Sequence, residues 1–484
     1  AARRLAVLVG ALLAFRLGSA LVVFQPGYTD AYYYADVAKR LAAGQGLTAD
    51  FIWNALEATG PLPVPSHRFW MPLATVLQAI GIRALPFLDP FRAAQAATIV
   101  VACAIPVLSY RVARSLGASA NGALAAAALA GLGGAFAPGW VSLDAFAPAA
   151  VIGTLFFLAY RRAAAGDVRS GVLAGLAVGL LFLARAEGAL FGLALLGLLR
   201  SPVSRRAALA GSAVALVIGF GWVARDLTLG SPPDLFVRSA LLVRYEDFFA
   251  ARTPAGWPSL DRLLAPKAAA LVTNLVTAGF AFGLLLLPGI GRAIWTRRAR
   301  PDVRAFAGLL LLMYLVESVV FTLHSTRGSY FHSLAAFMPF GVALGVVGTG
   351  ALLRTAERSR VAAVGGVTAA IIVSVFALAQ WDASFNVPYR ARVAALAVIP
   401  DGPFLAIDAA AWRWISGRPV MVTPSDGLAA GGCLISTYGA DSIVLEPVHF
   451  SAYSALYEAS RPVAAVGGIR VFPIKVRPAV GCLP

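Results

Sequence analysis

The feature that most constrains this chain is a series of apolar runs long enough to cross a lipid bilayer. Counting stretches of about 20 apolar residues, some shorter and tilted, predicts about eleven transmembrane helices. The predicted spans are residues 5–23, 92–111, 119–136, 146–160, 170–184, 187–199, 206–224, 267–290, 304–323, 332–353 and 361–380. The chain is therefore predicted to be a multi-spanning α-helical membrane protein, which agrees with its content of 59% hydrophobic and 13% charged residues.

The charge of the loops predicts the orientation. The 484-residue chain has 40 Lys and Arg against 23 Asp and Glu, and the arginines cluster in alternate loops. Positive loops stay in the cytoplasm, so we expect a bacterial inner-membrane protein with a cytoplasmic N-terminus. No basic stripe interleaved with aromatics is present, so nucleic-acid binding is not expected. The basic loops are "RVARS" (111–115), "RRAAAGDVR" (161–169), "RSPVSRR" (200–206), "RRAR" (297–300) and "RTAERSR" (354–360).

Two apolar segments allow more than one interpretation. Residues 1–24 have the basic start and apolar core of a signal peptide, but no convincing cleavage site follows, so an uncleaved helix is predicted. The run 72–88 contains Arg83 and is bounded by two prolines. Counting it as a span would place "RVARS" outside the cytoplasm, so we expect it to lie in the membrane interface.

The resulting topology divides the chain into a membrane module, residues 1–381, and an extracytoplasmic tail, residues 382–484. Short apolar runs alternate with helical patterns in the tail, which predicts a small α/β domain with a mostly parallel sheet. Cys433 and Cys482 both lie there and are predicted either to form a disulfide or to remain two free thiols. The outer-face loops of the membrane module are residues 24–91, 137–145, 225–266 and 324–331.

Asp30 is the first polar residue of interest in these loops. It precedes a predicted helix, residues 31–43, which it could cap, and Thr29 could serve instead. The helical period also places Asp30 on one face with Tyr33 and Tyr34. A carboxylate held beside aromatics at the membrane surface can act as a general base for a hydroxyl or amine.

Asp144 and His324 belong to two other outer-face loops. Asp144 precedes the fourth predicted span, where it is either an N-cap or a second carboxylate converging with Asp30 on a cation or an acceptor. A divalent cation bound by Asp30, Asp144 and His324 is therefore an open alternative, although the spacing matches no strong zinc signature.

Several further outer-face residues are candidates for binding a phosphate or an acceptor. Arg68 follows His67, and Arg binds phosphate through paired hydrogen bonds; the alternative is an anchor that Arg68 forms with Trp70. Arg185 and Glu187 lie in a tight turn, where they either satisfy each other or serve a site, since charges at membrane depth are functional candidates. The loop "LHSTRGSYFHS" (323–333) adds Arg327 and His332.

Five segments, taken in order, resemble the GT-C superfamily of polytopic glycosyltransferases, which includes protein O-mannosyltransferases and lipid A aminoarabinose transferases. The likeness extends over most of the chain, and its specificity lies in the ordered set. The segments are "TDAYYYADVAKRLAAGQGL", "HRFWMPLATVLQAI", "GWVSLDAFAPAAVIGTLFFLAYRR", "RAEGALFGLALLGLL" and "FHSLAAFMPF".

The resemblance implies an inverting glycosyltransferase that moves a hexosyl or pentosyl group from a polyprenyl-phosphate carrier to an extracytoplasmic lipid, glycan or protein acceptor. It implies that Asp30 is the catalytic base, and it matches Asp144, Arg185 and Glu187 to family positions in the following outer loops. Two other classes stay open: a transporter or flippase for a lipid-linked sugar, and a non-catalytic subunit with a partner in a membrane complex. Charges at mid-membrane would favour the transporter, whereas those of this chain gather at helix ends.

Overall fold

The computed structural model describes residues 2–58, 60–230, 244–251 and 259–474, apart from the side chain of Cys433. The first part of the chain is mostly helical. Its helices are α1 (Ala2–Val22), α2 (Thr29–Ala42), α3 (Leu73–Ala84), α4 (Pro90–Ala102), α5 (Ala104–Ser115), α6 (Ala120–Leu132), α7 (Phe146–Ala164), α8 (Val168–Ala184), α9 (Gly192–Leu198), α10 (Arg205–Thr228), α11 (Leu260–Phe282), α12 (Leu287–Thr296), α13 (Pro301–Val319), α14 (Thr322–Ser325), α15 (Ser329–Leu334), α16 (Met338–Leu353) and α17 (Ala356–Trp381).

These helices confirm the predicted multi-spanning architecture. Every predicted span coincides with helical residues of the structure. Several of the remaining apolar helices are shorter than a full bilayer crossing and pack inside the bundle. Within the described part of the chain, five stretches are long and apolar enough to cross a membrane: Ala2–Val22, Pro90–Ser115, Arg205–Thr228, Leu260–Phe282 and Ala356–Val398.

The predicted span 267–290 differs most from the structure. The observed helical segment is longer than this span and is broken. α11 ends at Phe282, Gly283 has a φ of +76°, and α12 continues to Thr296. Lys267 Nζ near the start of α11 donates to Val319 O at 2.5 Å, whereas Arg297 after α12 donates to Leu116 O at 3.2 Å. The two helices therefore form one traverse from one end of the bundle to the other, with a glycine at the break.

The segment predicted to lie in the interface is α3, a helix of 12 residues. At 1.5 Å per residue it spans roughly 18 Å, which is too short to cross a bilayer. It packs between α2 and α4. The chain therefore gains no extra crossing there, and the basic loops 111–115 and 297–300 lie together, as the hydrogen bond from Arg300 to Ser115 O at 2.7 Å shows.

The C-terminal part forms the predicted small α/β unit. Its sheet has the order β2-β5-β4-β6-β8-β7, with parallel pairing from β2 to β6 and antiparallel pairing of β8 with β6 and β7. β1 and β3 pair separately. The elements are β1 (Thr48–Ala49), β2 (Phe51–Ile52), β3 (Val64–Pro65), α18 (Val387–Ala395), β4 (Phe404–Ala406), α19 (Ala409–Ser416), β5 (Val420–Val422), α20 (Gly432–Tyr438), β6 (Ser442–Leu445), α21 (Ser454–Ala459), β7 (Ala464–Val466) and β8 (Ile469–Pro473).

The edge strand β2 comes from the first loop, which the sequence assigned to the membrane module. Phe51 aligns with Val420 and Ile52 with Met421. The division at residue 381 stays a prediction. The sheet joins the two parts by hydrogen bonds, because β2 precedes that position and its partner β5 follows it. We call the end of the bundle that carries this unit the sheet side, and the end with the basic loops the arginine side.

Helix α2 is fixed against the α/β unit by both apolar and charged contacts. Its three tyrosines, residues 32–34, are buried in the same core as the sheet. Arg413 of α19 lies 3.8 Å from Asp36 and 3.2 Å from Asp50, and Arg40 lies 2.9 Å from Asp50. These contacts set the rotation of α2 about its axis, and that rotation directs the first turn of α2 into the cavity described next.

Candidate active site

A cavity of about 820 Å³ lies on the sheet side, between the helix bundle and the first loop. Its size falls within the range of small-molecule sites, and its wall combines apolar area with a few polar groups, as such sites do. Seven parts of the chain contribute to it: the start of α2, residues 53–71 of the first loop, residues 135–146, the turn after α8, residues 245–249, residues 316–332 and the end of α17. The charged and histidine side chains in the wall are Asp30, Arg185, Glu187, Glu317, His324, Arg327 and His332.

One wall of the cavity is aromatic. Trp53 and Trp70 of the first loop pack with ring centroids 4.1 Å apart, and Phe248 lies 5.9 Å from Trp53. Phe248 and Phe249 belong to a 3₁₀ helix, Tyr245–Phe249. Asn54 donates to Phe248 O at 2.9 Å, which ties that helix to the first loop. This wall offers ring faces to a bound molecule, a surface suited to the apolar faces of a sugar or a lipid.

Asp30 lies in the first turn of α2 and lines the cavity. It is not the cap considered from the sequence: Tyr28 occupies the N-cap position, without a side-chain cap bond. Among the described residues, no side chain forms a hydrogen bond with the Asp30 carboxylate. Burial, followed by the charge of Asp144, raises the pKa of Asp30 to about 7, although Arg185 opposes the shift. Asp30 can therefore take up a proton near neutral pH.

Asp144 lies behind the cavity wall and is fully buried. Tyr28 OH donates to Asp144 Oδ2 at 2.6 Å, the Ala145 N–H donates to Oδ1 at 2.5 Å, and His332 Nδ1 lies 3.3 Å from Oδ2. The N-cap of α7 is Ala145, so Asp144 is not that cap. Asp144 therefore orients Tyr28 by a hydrogen bond and lies beside His332; these two residues line the cavity, whereas Asp144 itself is not part of its wall.

Arg185 and Glu187 pair directly, which agrees with the alternative that they satisfy each other, yet both also line the cavity. Arg185 Nη2 donates to Ser329 Oγ at 2.9 Å, and Ser333 Oγ donates to Glu187 Oε1 at 2.6 Å. The turn after α8 is thereby held against the start of α15. The pair is part of a polar network that reaches residues far apart in the sequence.

Glu317, which was not among the candidates predicted from the sequence, completes this network. It lies in the last two turns of α13, is 1% exposed and belongs to the cavity wall. Ser333 Oγ and Ser329 Oγ lie 2.9 Å and 3.1 Å from its Oε1. A lone Glu inside the apolar run "LLLLMYLVESVV" is the signal that could have identified it, because charged residues within a span are candidates by default.

Arg327 and His324 meet the aromatic wall. The guanidinium of Arg327 lies 4.2 Å from the ring centre of Tyr245, within the range of a cation–π contact. The His324 ring lies 4.7 Å from that of Phe248. Burial, followed by the charges of Arg185 and Arg327, lowers the pKa of His324 to about 4, so its imidazole is neutral at pH 7. Arg327 therefore supplies positive charge beside the aromatic wall.

His67 and Arg68 are placed differently from the phosphate-binding role considered for them. Among the described residues, neither belongs to the cavity wall, whereas the neighbouring Trp70 does. The His67 N–H donates to Tyr33 OH at 2.6 Å, and Arg68 Nη2 donates to Gly230 O at 2.6 Å. Burial lowers the pKa of His67 to about 3, so its imidazole stays neutral. The two residues lie on the far side of α2 from the cavity.

Tyr33 and Tyr34 of α2 differ in the same respect, because one of them lines the cavity and the other does not. Tyr34 lines the cavity and its ring stacks at 6.1 Å on that of His67. Tyr33 packs against Trp70 with ring centroids 4.5 Å apart and is not part of the wall. Of the two tyrosines considered from the sequence, Tyr34 is therefore the one placed to touch a ligand.

Two predictions made from the sequence concern metal and disulfide sites. In the described ranges no group of three or more His, Cys, Asp or Glu side chains is arranged to hold a metal ion. Asp144 already accepts hydrogen bonds on both oxygens. The set Asp30, Asp144 and His324 therefore does not fit a protein-held cation. The disulfide between Cys433 and Cys482 lies outside the described residues, and Cys103 is a free thiol.

Comparison with solved structures identifies the architecture. No family profile and no curated protein sequence matches the chain. The archaeal oligosaccharyltransferase AglB from Archaeoglobus fulgidus, solved with an inhibitory peptide and dolichol-phosphate, matches with a TM-score of 0.53 and 15% identity over 91% of this chain and 69% of AglB.

ArnT from Cupriavidus metallidurans is similar over a larger share of its length. The apo form matches with a TM-score of 0.59 and 14% identity over 97% of both chains, and the form bound to undecaprenyl phosphate with the same TM-score and identity over 98% of both. Identity this low shows the fold alone. The chain therefore has the fold of the polytopic GT-C glycosyltransferases.

Proposed function

We propose that the protein is an inverting glycosyltransferase that moves a hexosyl or pentosyl group from a polyprenyl-phosphate carrier to an acceptor. The observation that carries this proposal is Asp30, a carboxylate with a pKa of about 7 in a cavity whose wall also contains Arg185 and Arg327. A base and cationic side chains within one cavity are the groups that displacement of a sugar phosphate needs. AglB with dolichol-phosphate and ArnT with undecaprenyl phosphate support the class of carrier.

The reaction follows from these groups. An acceptor hydroxyl or amine attacks the anomeric carbon of the sugar, and Asp30 accepts the proton that the acceptor loses. The bond between that carbon and the phosphate oxygen breaks, and the electron pair leaves with the phosphate. Arg327 stabilises the charge on the departing phosphate. A single displacement of this kind inverts the configuration of the sugar carbon.

The other lining residues have supporting roles in the proposal. Asp144 positions Tyr28 and His332 in the wall, and Tyr34 and the Trp53–Trp70 pair contact the substrates. The proposal retains a bacterial inner-membrane location with the arginine side in the cytoplasm, which puts the cavity and the α/β unit outside it.

The test is a transfer assay with the purified protein, its co-purified lipid identified by mass spectrometry, and membrane extract as the source of acceptor. Asp30→Asn should lower the transfer rate by about 10³-fold, within the range for removal of a general base. The protein should still purify as a folded monodisperse species, because the change preserves the size of the side chain.

The matched control is Asp382→Asn, which changes a half-exposed carboxylate on the sheet side that pairs with Arg390 and does not line the cavity. It should retain transfer. Wild-type turnover in Asp30→Asn would contradict the role of Asp30. Movement of an intact lipid-linked sugar without formation of a new glycosidic bond would contradict the transferase and indicate a transporter.

A further inference from the structure

We propose that Glu317, with Ser329 and Ser333, recognises a hydrogen-bond donor on the transferred sugar, a hydroxyl or an ammonium group, and so selects the donor substrate. This inference rests on the proposed function and assigns a specificity-determining residue within the same cavity. Its basis is the set of hydrogen bonds that the two serines form with Arg185, Glu187 and Glu317.

The two serines supply a limited number of protons. Ser329 accepts from Arg185 Nη2 at 2.9 Å, so its own hydroxyl proton is available to Glu317 Oε1 at 3.1 Å. Ser333 has one hydroxyl proton and lies 2.6 Å from Glu187 Oε1 and 2.9 Å from Glu317 Oε1. These donors therefore reach only the Oε1 atoms of the two carboxyl groups.

Glu317 Oε2 is left without a partner. It is buried and has no hydrogen-bond partner among the described residues. A buried carboxylate oxygen without a donor is costly, so a ligand group that donates to it gains more free energy than it would at a solvated site. Because Glu317 belongs to the cavity wall, the donor is available from a bound ligand.

Charge decides which part of the donor substrate meets Glu317. The phosphodiester of a lipid-linked sugar carries no hydrogen-bond donor, so it cannot satisfy Glu317 Oε2. Arg327 lies beside the aromatic wall, above Tyr245. The phosphate is therefore attracted toward Arg327, and the sugar, which carries hydroxyl or amino donors, meets the carboxyl groups.

Binding of defined lipids separates these contacts. The probes are geranylgeranyl phosphate and its mannosyl, galactosyl and 4-amino-4-deoxyarabinosyl esters, titrated against the full chain in detergent micelles. Wild type should bind at least one ester more tightly than the bare phosphate. Preference for the amino sugar would identify an ammonium group as the partner of Glu317, and preference for a neutral sugar would identify a hydroxyl.

Glu317→Gln should weaken binding of the preferred ester about 10-fold or more and change binding of bare geranylgeranyl phosphate less than about 2-fold. Glu317→Asp, which keeps the carboxyl group but withdraws it by one methylene, should act in the same direction. Glu57→Gln is the matched control: Glu57 is 3% exposed and its Oε1 also has no hydrogen-bond partner among the described residues, but it does not line the cavity. It should leave both affinities unchanged.

The outcomes are distinct. Equal losses for the ester and the bare phosphate in both Glu317 variants would show a purely structural role and overturn the inference. An unchanged preference for the ester would overturn it as well, while leaving the transferase proposal intact. If wild type binds none of the lipid phosphates, the proposed function itself fails, and the inference fails with it.

Discussion

Two clusters of buried charged and histidine residues flank α2, and among the described residues only one of them lines the cavity of about 820 Å³. On one side Asp30, Arg185, Glu187 and Arg327 line the cavity wall. On the other side, Glu57 and His67 are enclosed between the first loop and the end of α10, where Arg225 donates to Ser66 O at 2.8 Å. On the cavity side burial raises the pKa of Asp30, and on the other side burial raises the pKa of Glu57 and lowers the pKa of His67. A shifted pKa therefore marks burial on both sides of α2, and access to a cavity distinguishes the side that can do chemistry.

The largest difference between the two sides should appear in phosphate binding. Arg327→Gln should weaken binding of geranylgeranyl phosphate by about 10- to 100-fold, because it removes a cation from the cavity wall. Arg68→Gln, on the other side of α2, should leave that affinity unchanged and lower thermal stability instead, since Arg68 Nη2 donates to Gly230 O. Isothermal titration and thermal unfolding in detergent measure both effects. Equal losses of affinity in the two variants would remove the distinction.

The pH dependence of transfer should follow the cavity side alone. Asp30 acts as a base only when ionised, and its pKa is raised to about 7 by burial and by Asp144. The rate at saturating donor should therefore rise about 10-fold between pH 6 and pH 8 and then level off. A rate profile measured with wild type checks this. A rate that is flat over that range would exclude Asp30 as the titrating group.

The smallest effect concerns the pH dependence of stability on the enclosed side. Burial raises the pKa of Glu57 to about 7, although Arg68 opposes the shift, whereas the ordinary value is 4.5. The folded protein binds this proton more tightly, so the contribution of Glu57 to stability is fully present below pH 4.5 and is lost as pH rises through 7. Glu57→Gln should therefore reduce, by a few degrees, the decrease in Tm between pH 5 and pH 8. An unchanged decrease would show that Glu57 titrates normally.

Much of the fold could be predicted because it depends on local patterns. Runs of apolar residues located the helices, and alternate arginine loops agree with the contacts that join loops 111–115 and 297–300. Strands β4 to β8 also lie where short apolar runs predicted them. The break at Gly283 and the addition of β2 to the sheet were not predicted. Both depend on partners distant in sequence, on α16 for α12 and on Val420 for Phe51.

The candidate site was predicted only in part, for the same reason. Asp30, Arg185, Glu187, Arg327 and His332 do converge on one cavity. His67 and Arg68 do not, because they lie in the first loop, where the His67 N–H donates to Tyr33 OH and Arg68 Nη2 donates to Gly230 O. Asp144 was expected to be either an N-cap or a second carboxylate that faces a ligand; it lies behind the wall and supports Tyr28, whose hydroxyl donates to its carboxylate at 2.6 Å.

The sequence by itself determined that the chain spans a membrane many times, ends in an α/β unit and carries its polar loops at helix ends, because hydrophobicity and its periodicity are properties of neighbouring residues. Tertiary structure alone decided which of those polar residues share a cavity. That decision depends on the rotation of α2, set by Arg413 against Asp36 and Asp50, and on the docking of α13 and α15 beside the turn at Arg185. Ser333 contacts both Glu317 and Glu187. Glu187 lies 146 positions before that serine in the chain, so no local pattern could have predicted the contact.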